Sequence, residues 1–425
     1  MNFNGLNQEE LVNAFNGIKK RYASLQKEKI AIDFSRGKQS PEQLDLSMPM
    51  LETVDRTHVF PKNADYRNYG MLDGVPELRS LFAQIVGVDK ENVFLGGCSS
   101  LNLIYDVFAK AWCFGVNGGT PWCKLPKVKF LCPVPGYDRH FAILEQFGVE
   151  MVAIPMDENG PDMNLVEELV ASDVSVKGIV CVPRFSNPTG IVYSDEVVKR
   201  LATMKTAAVD FRIFWDNAYC IHSLYPDAPE LLNIFNVPDA VEDRVYMFFS
   251  TSKITFSSGG TCALITSERN LQSLRKFFSV QTINFDKINQ YEHALFLKDV
   301  QTVKLLMERH ASILRPKFEK VQEVFEENFA DNKYISWTDP KGGYFVTLYV
   351  AEGTAKRIID LCKKVGVTLT EAGGAYPLHL DDLDSVIRIP PSYLNIDELE
   401  VALSVVVVCT EYALCEKLLG ITVNE

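Results

Sequence analysis

Short apolar runs alternate with amphipathic stretches through the central part of the chain. The apolar runs predict strands over residues 92–95, 128–132, 149–154, 178–182, 212–215 and 245–249. Helical periodicity predicts helices over residues 101–114, 138–147, 165–171 and 195–206. This alternation predicts crossover connections and a mostly parallel sheet with helices on both faces, which is an α/β fold.

The two ends of the chain follow different patterns. A polar stretch with an apolar stripe predicts a first helix from Glu9 to about Glu28, and residues 33–49 are typical of a loop that crosses the surface or enters a site. After about residue 285 the pattern predicts a long helical segment over 287–329, followed by strands over 334–337, 344–350 and 386–389. We therefore expect a smaller α+β domain from residues 1–65 and 290–425, beside a large domain over 66–289.

Composition narrows the class of protein. Of 425 residues, 47% are hydrophobic and 23% are charged, which predicts a folded core and argues against general disorder. The net charge of −12 disfavours nucleic-acid binding but still permits a small anion held by local cations and backbone N–H groups. Residues 401–419 are apolar but contain Glu411 and Glu416, so they predict a buried helix or strand rather than a membrane span.

The cysteines and histidines give no sign of a metal site. Ten cysteines occur without a Cys-x-x-Cys pair, which favours dispersed reduced thiols in a cytosolic protein. The six histidines lack metal-ligand spacing. The polar N-terminal residues do not form a signal-peptide pattern, so we expect a cytoplasmic protein without membrane or nucleic-acid partners.

Four polar motifs each follow a predicted strand. They are Gly96-Gly97-Cys98-Ser99-Ser100, Ser186-Asn187-Pro188-Thr189-Gly190, Asp216-Asn217-Ala218-Tyr219 and Ser250-Thr251-Ser252-Lys253. Ligands of open α/β sheets bind beyond the carboxyl ends of the strands. The four motifs therefore predict one shared ligand site.

Each motif alone also has an ordinary structural interpretation. Asn187-Pro188 is typical of a turn, Asp216 of a helix N-cap, and Lys253 of an exposed lysine in a polar loop. A carboxylate at the end of an apolar strand, however, favours a counter-ion for a buried cation. The hydroxyl-rich turn before Lys253 could bind phosphate and present an amine together, and a Gly-rich turn that opens a helix is suited to an anion.

The order of these motifs, from Tyr69 through Lys253 to Arg388, resembles the fold type I, class I pyridoxal-phosphate-dependent aminotransferases. The similarity extends over nearly the whole chain. Residues 135–140, 210–213 and 252–256 are also similar to a bacterial aspartate aminotransferase subgroup. The resemblance implies the corresponding α/β fold, pyridoxal 5′-phosphate as cofactor and a homodimer.

The resemblance also implies catalytic roles for three residues. Lys253 would hold the cofactor as a Schiff base and move the proton of the substrate α-carbon. Asp216 would pair with the pyridine nitrogen. Tyr219, together with Asn187, would hydrogen-bond the phenolic oxygen.

Binding roles follow from the same resemblance. Tyr137 would stack on the cofactor ring, and Arg388 would bind the substrate α-carboxylate beneath a loop that contains Gly37. The residues expected to hold the phosphate are Ser99, Ser100, Ser250 and, from the neighbouring subunit, Tyr69. Asn187 is also expected to contact the substrate.

One feature departs from the family pattern. Many members carry an arginine shortly after the lysine, whereas residues 254–262 contain no cation, so Ser257, Ser258 or backbone N–H groups would have to replace it. A substrate with a second carboxylate would need a further cation. The sequence leaves four candidates for it, which are Arg36, Lys38, Arg139 and Arg184.

The leading hypothesis is an aminotransferase that moves an amino group by a ping-pong mechanism between aspartate or glutamate and a 2-oxo acid such as 2-oxoglutarate. A β-lyase or a decarboxylase could use the same motifs, because the reaction depends on which bond stands perpendicular to the ring. A ligand-sensing domain without catalytic activity would need an added DNA-binding module. The acidic charge and the short segment before Tyr69 disfavour that third hypothesis.

Overall fold

The computed structural model describes residues 3–61 and 64–421, and these residues form three sheets. The strands are β1 (Ile32–Asp33), β2 (Val93–Gly96), β3 (Lys129–Val134), β4 (Glu150–Asp157), β5 (Gly160–Pro161), β6 (Val176–Cys181), β7 (Arg212–Asp216), β8 (Val245–Ser250), β9 (Cys262–Ile265), β10 (Ser336–Trp337), β11 (Val346–Tyr349), β12 (Val367–Thr368) and β13 (Val386–Ile389).

The largest sheet has eight strands in the order β2-β9-β8-β7-β6-β3-β4-β5. Strands β4, β3, β6, β7 and β8 run parallel, whereas β9 is antiparallel to both β8 and β2, and β5 is antiparallel to β4. The predicted α/β fold with a mostly parallel sheet is therefore confirmed. Because β6, β7 and β8 are parallel neighbours, the segments that follow them leave the same edge of the sheet.

Helices pack against both faces of this sheet, and further helices lie towards the two ends of the chain. They are α1 (Gln8–Leu25), α2 (Pro41–Asp45), α3 (Pro76–Val86), α4 (Ser100–Phe114), α5 (Asp138–Gln146), α6 (Met163–Ser172), α7 (Asp195–Thr203), α8 (Glu268–Gln281), α9 (Lys287–Leu297), α10 (Val300–Phe329), α11 (Ala355–Val365) and α12 (Ile396–Leu418).

Burial on both faces explains why the central strands are apolar throughout. In β7, Ile213 and Trp215 pack into one hydrophobic cluster, while Phe214 points to the other side and packs into a second cluster. All five residues of β7 are buried, including the terminal Asp216. A parallel strand with helices on both sides needs this composition, because neither face meets water.

A third hydrophobic cluster joins the two ends of the chain. It draws on α1, α10, α11 and α12 and on the three-stranded antiparallel sheet β10-β11-β13. Helix α1 buries the predicted stripe through Leu11, Phe15 and Ile18. Strands β1 and β12, which are far apart in sequence, form a parallel pair.

Helix α12 accounts for the apolar stretch near the C-terminus. The two acidic residues within its apolar part are paired, since Glu411 accepts from Arg21 at 2.7 Å and Glu416 accepts from both Nε and Nη2 of Arg357 at 2.8 and 2.9 Å. These bonds offset the cost of taking carboxylates out of water. Among the helices of the described residues, none is long and apolar enough to cross a membrane.

Several predicted boundaries were wrong for identifiable reasons. The predicted loop over 33–49 contains α2, which begins with Pro41 in its first turn, and Gln43 Oε1 accepts a hydrogen bond from the backbone N–H of Ser40 at 3.2 Å. The predicted helical segment over 287–329 is two helices, because Lys298 has a positive φ of 55° that breaks the chain between α9 and α10. The predicted strands at 334–337 and 344–350 are shorter than expected.

Candidate active site

Eight of the predicted site residues meet at one cavity of about 200 Å³ beyond the ends of β6, β7 and β8. They are Ser99, Ser100, Tyr137, Asn187, Asp216, Tyr219, Ser250 and Lys253. The remaining predicted substrate residues, Arg388 and Gly37, line an adjoining cavity of about 450 Å³. The two cavities share Tyr137, Asn187, Tyr219 and Lys253 and therefore form two parts of one site.

Asp216 places a buried carboxylate on the wall of the first cavity. The residue is only 4% exposed, and its Oδ2 accepts a hydrogen bond from Nε2 of His140 at 3.0 Å. Its Oδ1 is buried and has no hydrogen-bond partner among the described residues. A buried carboxylate oxygen without a partner is costly, so this atom is suited to a positively charged N–H donor of a ligand.

Lys253 lies in the turn that follows β8 and lines both cavities. Its Nζ lies 4.7 Å from the centre of the Tyr219 ring, which is the geometry of a cation–π contact. Burial, followed by the charge of Asp216, raises the pKa of the Tyr219 hydroxyl far above its usual range. Tyr219 is therefore a neutral hydrogen-bond donor at physiological pH.

Tyr137 forms part of the wall beside Asp216. Its ring contacts His140 edge to face, with the centroids 4.9 Å apart. Burial raises the pKa of Tyr137 to about 12, and the nearby Lys253 opposes that shift. The aromatic pair therefore fixes the imidazole that holds Asp216 and leaves an apolar ring surface at the cavity.

Hydroxyl groups also line the first cavity. Ser99 caps α4, and Ser252 donates from its backbone N–H to Ser250 Oγ at 3.1 Å and from its own Oγ to the carbonyl of Cys98 at 3.1 Å. Ser257 also lines this cavity, whereas Ser258 does not belong to its lining. Hydroxyls beside a helix N-terminus form a suitable cradle for a phosphate.

This hydroxyl cradle carries little positive charge. Among the lining residues that the structure describes, Lys253 is the one cation of the first cavity. The sequence had indicated the same deficit, since residues 254–262 contain no arginine or lysine.

Arg388 extends from β13 into the second cavity. Its Nη2 donates to the carbonyl of Ser35 at 3.1 Å and to Thr370 Oγ1 at 2.9 Å, and its guanidinium lies 5.2 Å from the centre of the Phe345 ring. Its Nε is buried without a partner in the described part of the chain. The guanidinium is thus held in place and retains free donor capacity, which suits a bound carboxylate.

The ring of Phe345 leaves no room for a side chain at position 37, so glycine is needed there. A Cβ at this position would collide with the ring of Phe345. Any larger side chain would displace the ring on which Arg388 rests. The role of Gly37 is therefore to leave room for this ring, not to form a hydrogen bond.

The structure separates the four cations proposed for a second carboxylate. Arg36 and Arg139 line the second cavity together with Arg388. Lys38 instead lies over the ring of Tyr393, with Nζ 3.8 Å from its centre. Arg184 donates to the carbonyl groups of Cys220 and Pro229 and lines a different cavity.

Tyr69 lies apart from these residues on the surface. Its side chain is 79% exposed, and neither of the two cavities includes it among the lining residues. Within one chain the structure therefore leaves Tyr69 away from the hydroxyl cradle.

Two site residues were missed by sequence reasoning. His140 was interpreted as structural, and Ser252 was treated only as part of a hydroxyl-rich turn. The fold brings His140 to Asp216 although 76 positions separate them along the chain. The position of His140 three residues after the apolar and aromatic turn Pro135-Gly136-Tyr137 was the one local signal available.

Three buried histidines surround the segment that carries Lys253. The Nε2 atoms of His222 and His310 donate to the carbonyls of Lys253 and Ile254 at 3.3 and 2.9 Å. Nε2 of His293 lies 3.0 and 2.8 Å from the hydroxyls of Thr251 and Thr255. Burial lowers the pKa of His222 to about 3 and the pKa of His293 and His310 to about 4, so all three are neutral at physiological pH.

Known proteins that are similar to this chain include aspartate aminotransferases. A model of the family described as aspartate amino-transferase matches residues 6–422. An aspartate aminotransferase of Corynebacterium glutamicum is 42% identical over 403 residues, which cover 94% of this chain and 93% of that protein. The crystal structure of an aspartate transaminase from the same species superposes with a TM-score of 0.94 at 41% identity, over 97% of this chain and 98% of that chain.

More distant structures share the fold. The α-aminoadipate aminotransferase of Thermus thermophilus, solved in complex with N-(5′-phosphopyridoxyl)-L-leucine, superposes with a TM-score of 0.73 at 19% identity. The superposition covers 93% of this chain and 95% of that chain. At this identity the likeness concerns the fold alone.

The depressed histidine pKa values predict a loss of stability in mild acid. Between about pH 6.5 and pH 4 the unfolded chain binds protons at His222, His293 and His310 that the folded chain does not bind. The contribution of the three histidines to the free energy of unfolding should therefore be fully present above about pH 6.5. It should decrease as the pH falls towards 4. Urea unfolding midpoints at a series of pH values measure this, and a His293→Gln variant should show a weaker pH dependence. An unchanged pH dependence in that variant would contradict the assignment.

Proposed function

The chain belongs to the aspartate aminotransferase family, whose members are fold type I enzymes that depend on pyridoxal phosphate, and we propose that it transfers an amino group between an amino acid and a 2-oxo acid by a ping-pong mechanism. The observation that carries the proposal is the meeting of three groups at one cavity. They are the amine of Lys253, the Asp216 oxygen that has no partner among residues 3–61 and 64–421, and the hydroxyl cradle around Ser99 and Ser250.

Each of these groups is suited to one part of pyridoxal 5′-phosphate. The hydroxyls of Ser99, Ser100, Ser250 and Ser252 would hold its phosphate, and Oδ1 of Asp216 would accept from the protonated ring nitrogen. When bound, the cofactor supplies an electron sink that stabilises negative charge at the substrate α-carbon. The buried Asn187, whose Oδ1 has no partner in the described ranges, lines the same cavity.

Lys253 and Tyr219 would perform the proton chemistry. Nζ of Lys253 reaches both cavities, so it can hold or move a proton at the substrate α-carbon. Tyr219 is held neutral by burial and can donate a hydrogen bond to an oxygen beside that amine. His140 would keep Asp216 oriented, because it occupies the other carboxylate oxygen.

Arg388 would orient the substrate through its α-carboxylate. Contacts to Ser35, Thr370 and Phe345 restrict the guanidinium before any substrate arrives. Restricted donors reduce the ordering that binding requires, which is the physical basis of orientation catalysis. Gly37 preserves this arrangement by leaving room for Phe345.

The charges of the second cavity favour a dicarboxylic substrate such as aspartate or glutamate. Its lining contains four cations, namely Lys253, Arg36, Arg139 and Arg388, against the two acids Asp138 and Glu371. Asp138 lies 3.6 Å from Arg388 Nη1, so it offsets part of that charge. The remaining excess of positive charge suits a ligand with two carboxylates, and 2-oxoglutarate would be an appropriate acceptor.

We further propose a homodimer in which Tyr69 completes the neighbouring site. Tyr69, Val280 and Ile283 are exposed apolar side chains, 79%, 88% and 59% accessible. The backbone N–H of Gly70 donates to the Asn284 side chain at 3.2 Å, so these segments lie side by side. An exposed apolar patch of this kind is typical of a subunit interface.

The proposed division into domains has partial support from packing. The third hydrophobic cluster combines residues from both ends of the chain, as a small domain over 1–65 and 290–425 would require. Tyr291 in α9, together with Val303 and Met307 near the start of α10, packs instead with the cluster beside the large sheet. We therefore propose the boundary within α10 rather than at residue 290.

The role of Lys253 can be tested by substitution. Lys253→Ala should lower the rate of amino transfer from glutamate to oxaloacetate by more than about 100-fold, because general acid–base catalysis by one residue contributes at least that much. Formation of aspartate measures the rate, and circular dichroism checks the fold. The exposed Lys199 of α7 provides a control, since Lys199→Ala should retain wild-type activity. Comparable turnover in Lys253→Ala would refute the proposed role.

The choice of substrate can distinguish Arg36 and Arg139 from Arg388. Arg139→Met and Arg36→Met should reduce the single-turnover efficiency with aspartate by about 10-fold or more, because a charged hydrogen bond contributes about 1.5–3 kcal/mol. The efficiency with alanine should change little, since alanine has no second carboxylate. Absorbance of the cofactor-loaded protein after rapid mixing measures both values. An equal loss with the two amino acids would instead assign these arginines to the α-carboxylate.

A further inference from the structure

A segment of the N-terminal region connects the two ends of the active site. We call residues 35–43 the strap. At one end, the carbonyl of Ser35 accepts from Arg388, and Ser392 Oγ donates to the carbonyl of Lys38 at 2.9 Å. The strap therefore begins at the group that would hold the substrate α-carboxylate.

The middle of the strap contacts the loop that follows Lys253. Gln39 donates from Nε2 to the carbonyl of Thr255 at 3.0 Å, and its Oε1 accepts from Ser257 Oγ at 2.9 Å. Gln39 is buried, so water does not compete for these bonds. The strap is thus fixed to the Lys253 loop before it reaches α2.

Gln43 ends the strap in a buried hydrogen-bond network behind Lys253. Its Nε2 lies 3.1 Å from Tyr344 Oη and 3.1 Å from His310 Nδ1. Tyr344 Oη donates to the carbonyl of Lys253 at 3.4 Å, and His310 Nε2 donates to the carbonyl of Ile254 at 2.9 Å. One amide group therefore supports two successive carbonyls of the lysine segment.

The direction of each bond in this network is determined by its acceptors. Because His310 Nε2 faces a carbonyl, it carries the proton, and Nδ1 is left as an acceptor for Gln43. The second proton of the same Gln43 amide reaches Tyr344 Oη, whose own proton turns to Lys253. Gln43 Oε1 accepts from the backbone N–H of Ser40 at 3.2 Å, so every polar group of this side chain is used.

Burial makes the network specific. Gln43 is fully buried, and His310 and Tyr344 are each 1% exposed. A buried glutamine costs stability unless its polar atoms are paired, so these bonds offset the burial of Gln43. A purely apolar side chain of similar length would fill the same space but could not donate to Tyr344 Oη or His310 Nδ1, whose own bonds reach the carbonyls of Lys253 and Ile254.

We propose that Gln43 is a positioning residue, which acts through Tyr344 and His310 to hold the backbone of Lys253 and which links that lysine through the strap to Arg388. This proposal rests on the proposed function, because it assigns Gln43 to the accuracy of the Lys253 amine during amino transfer. Gln43 does not line either cavity of the site. Its loss should therefore affect the chemical step more than substrate binding.

The test compares Gln43→Met with wild type, both loaded with pyridoxal phosphate. We expect kcat to fall by about 10-fold or more while KM for aspartate changes by less than about twofold, because a small displacement of a catalytic group impairs the reaction rather than binding. Hydrogen–deuterium exchange of the peptide over residues 251–256 should become faster. Tyr344→Phe removes only one hydroxyl and should reproduce both effects in a weaker form.

Gln322→Met is the matched control. Gln322 accepts from Trp337 Nε1 at 2.7 Å and donates to the carbonyl of Thr338 at 3.1 Å, so this variant loses two buried or half-buried hydrogen bonds where Gln43→Met loses three, and neither of the two involves the Lys253 segment. It should lower the thermal midpoint and leave kcat and the exchange of 251–256 unchanged. If Gln43→Met and Tyr344→Phe lowered stability but kept wild-type kcat, the positioning role would be refuted.

The two proposals fail in different ways. Absence of amino transfer in the wild-type protein would refute the proposed function. The exchange comparison needs cofactor alone and no substrate, so it would still decide whether Gln43 holds the lysine backbone. Unchanged exchange over 251–256 in Gln43→Met would overturn the structural part of the inference.

Discussion

A carboxylate buried at the end of an apolar strand is the constraint on which the site depends. Asp216 is 4% exposed, and within the described part of the chain only one of its two oxygens has a partner, which is His140. An ionised carboxylate in such surroundings is costly unless a cation or a strong donor completes it. The other residues of the cavity are arranged around this requirement, with an amine, an aromatic wall and a hydroxyl cradle placed where a cationic ring with a phosphate would meet them.

The sheet makes this arrangement possible. Strands β6, β7 and β8 are parallel neighbours, so Asn187, Asp216 and Lys253 leave the same edge although they are far apart along the chain. The apolar faces of these strands are covered by helices, which fixes the strand ends without the use of any polar group from the site. Catalytic side chains can therefore occupy the loops while stability resides in the core.

Residues that follow apolar strands were predictable from sequence, because the strand pattern itself indicates where a ligand binds. Asn187, Asp216, Lys253 and the serines of the cradle belong to this group. His140 and Gln43 were not predictable, since their roles depend on contacts across 76 and 267 positions with Asp216 and His310. The same limit applies to Arg184, which shares its residue type with the cavity arginines but faces backbone carbonyls elsewhere.

Local pattern also failed where backbone conformation decided the outcome. The break at Lys298 divides a stretch whose periodicity favours one helix, and α2 occupies a stretch whose composition favours a loop. Because residues 33–49 were predicted to be a loop, a fully buried glutamine was not expected within the strap. Tertiary packing, rather than propensity, therefore determined the parts of the site that sequence did not reveal.

The absorption spectrum of the purified protein, recorded with pyridoxal phosphate before and after glutamate is added, tests the central claim most directly. We expect a visible cofactor band that disappears with glutamate and returns when 2-oxoglutarate is supplied, because each addition completes one half of the amino transfer. A cofactor band whose absorbance does not change with glutamate or with any other amino acid tried would contradict amino transfer. The absence of any cofactor band after incubation with pyridoxal phosphate would contradict the assignment of the site itself.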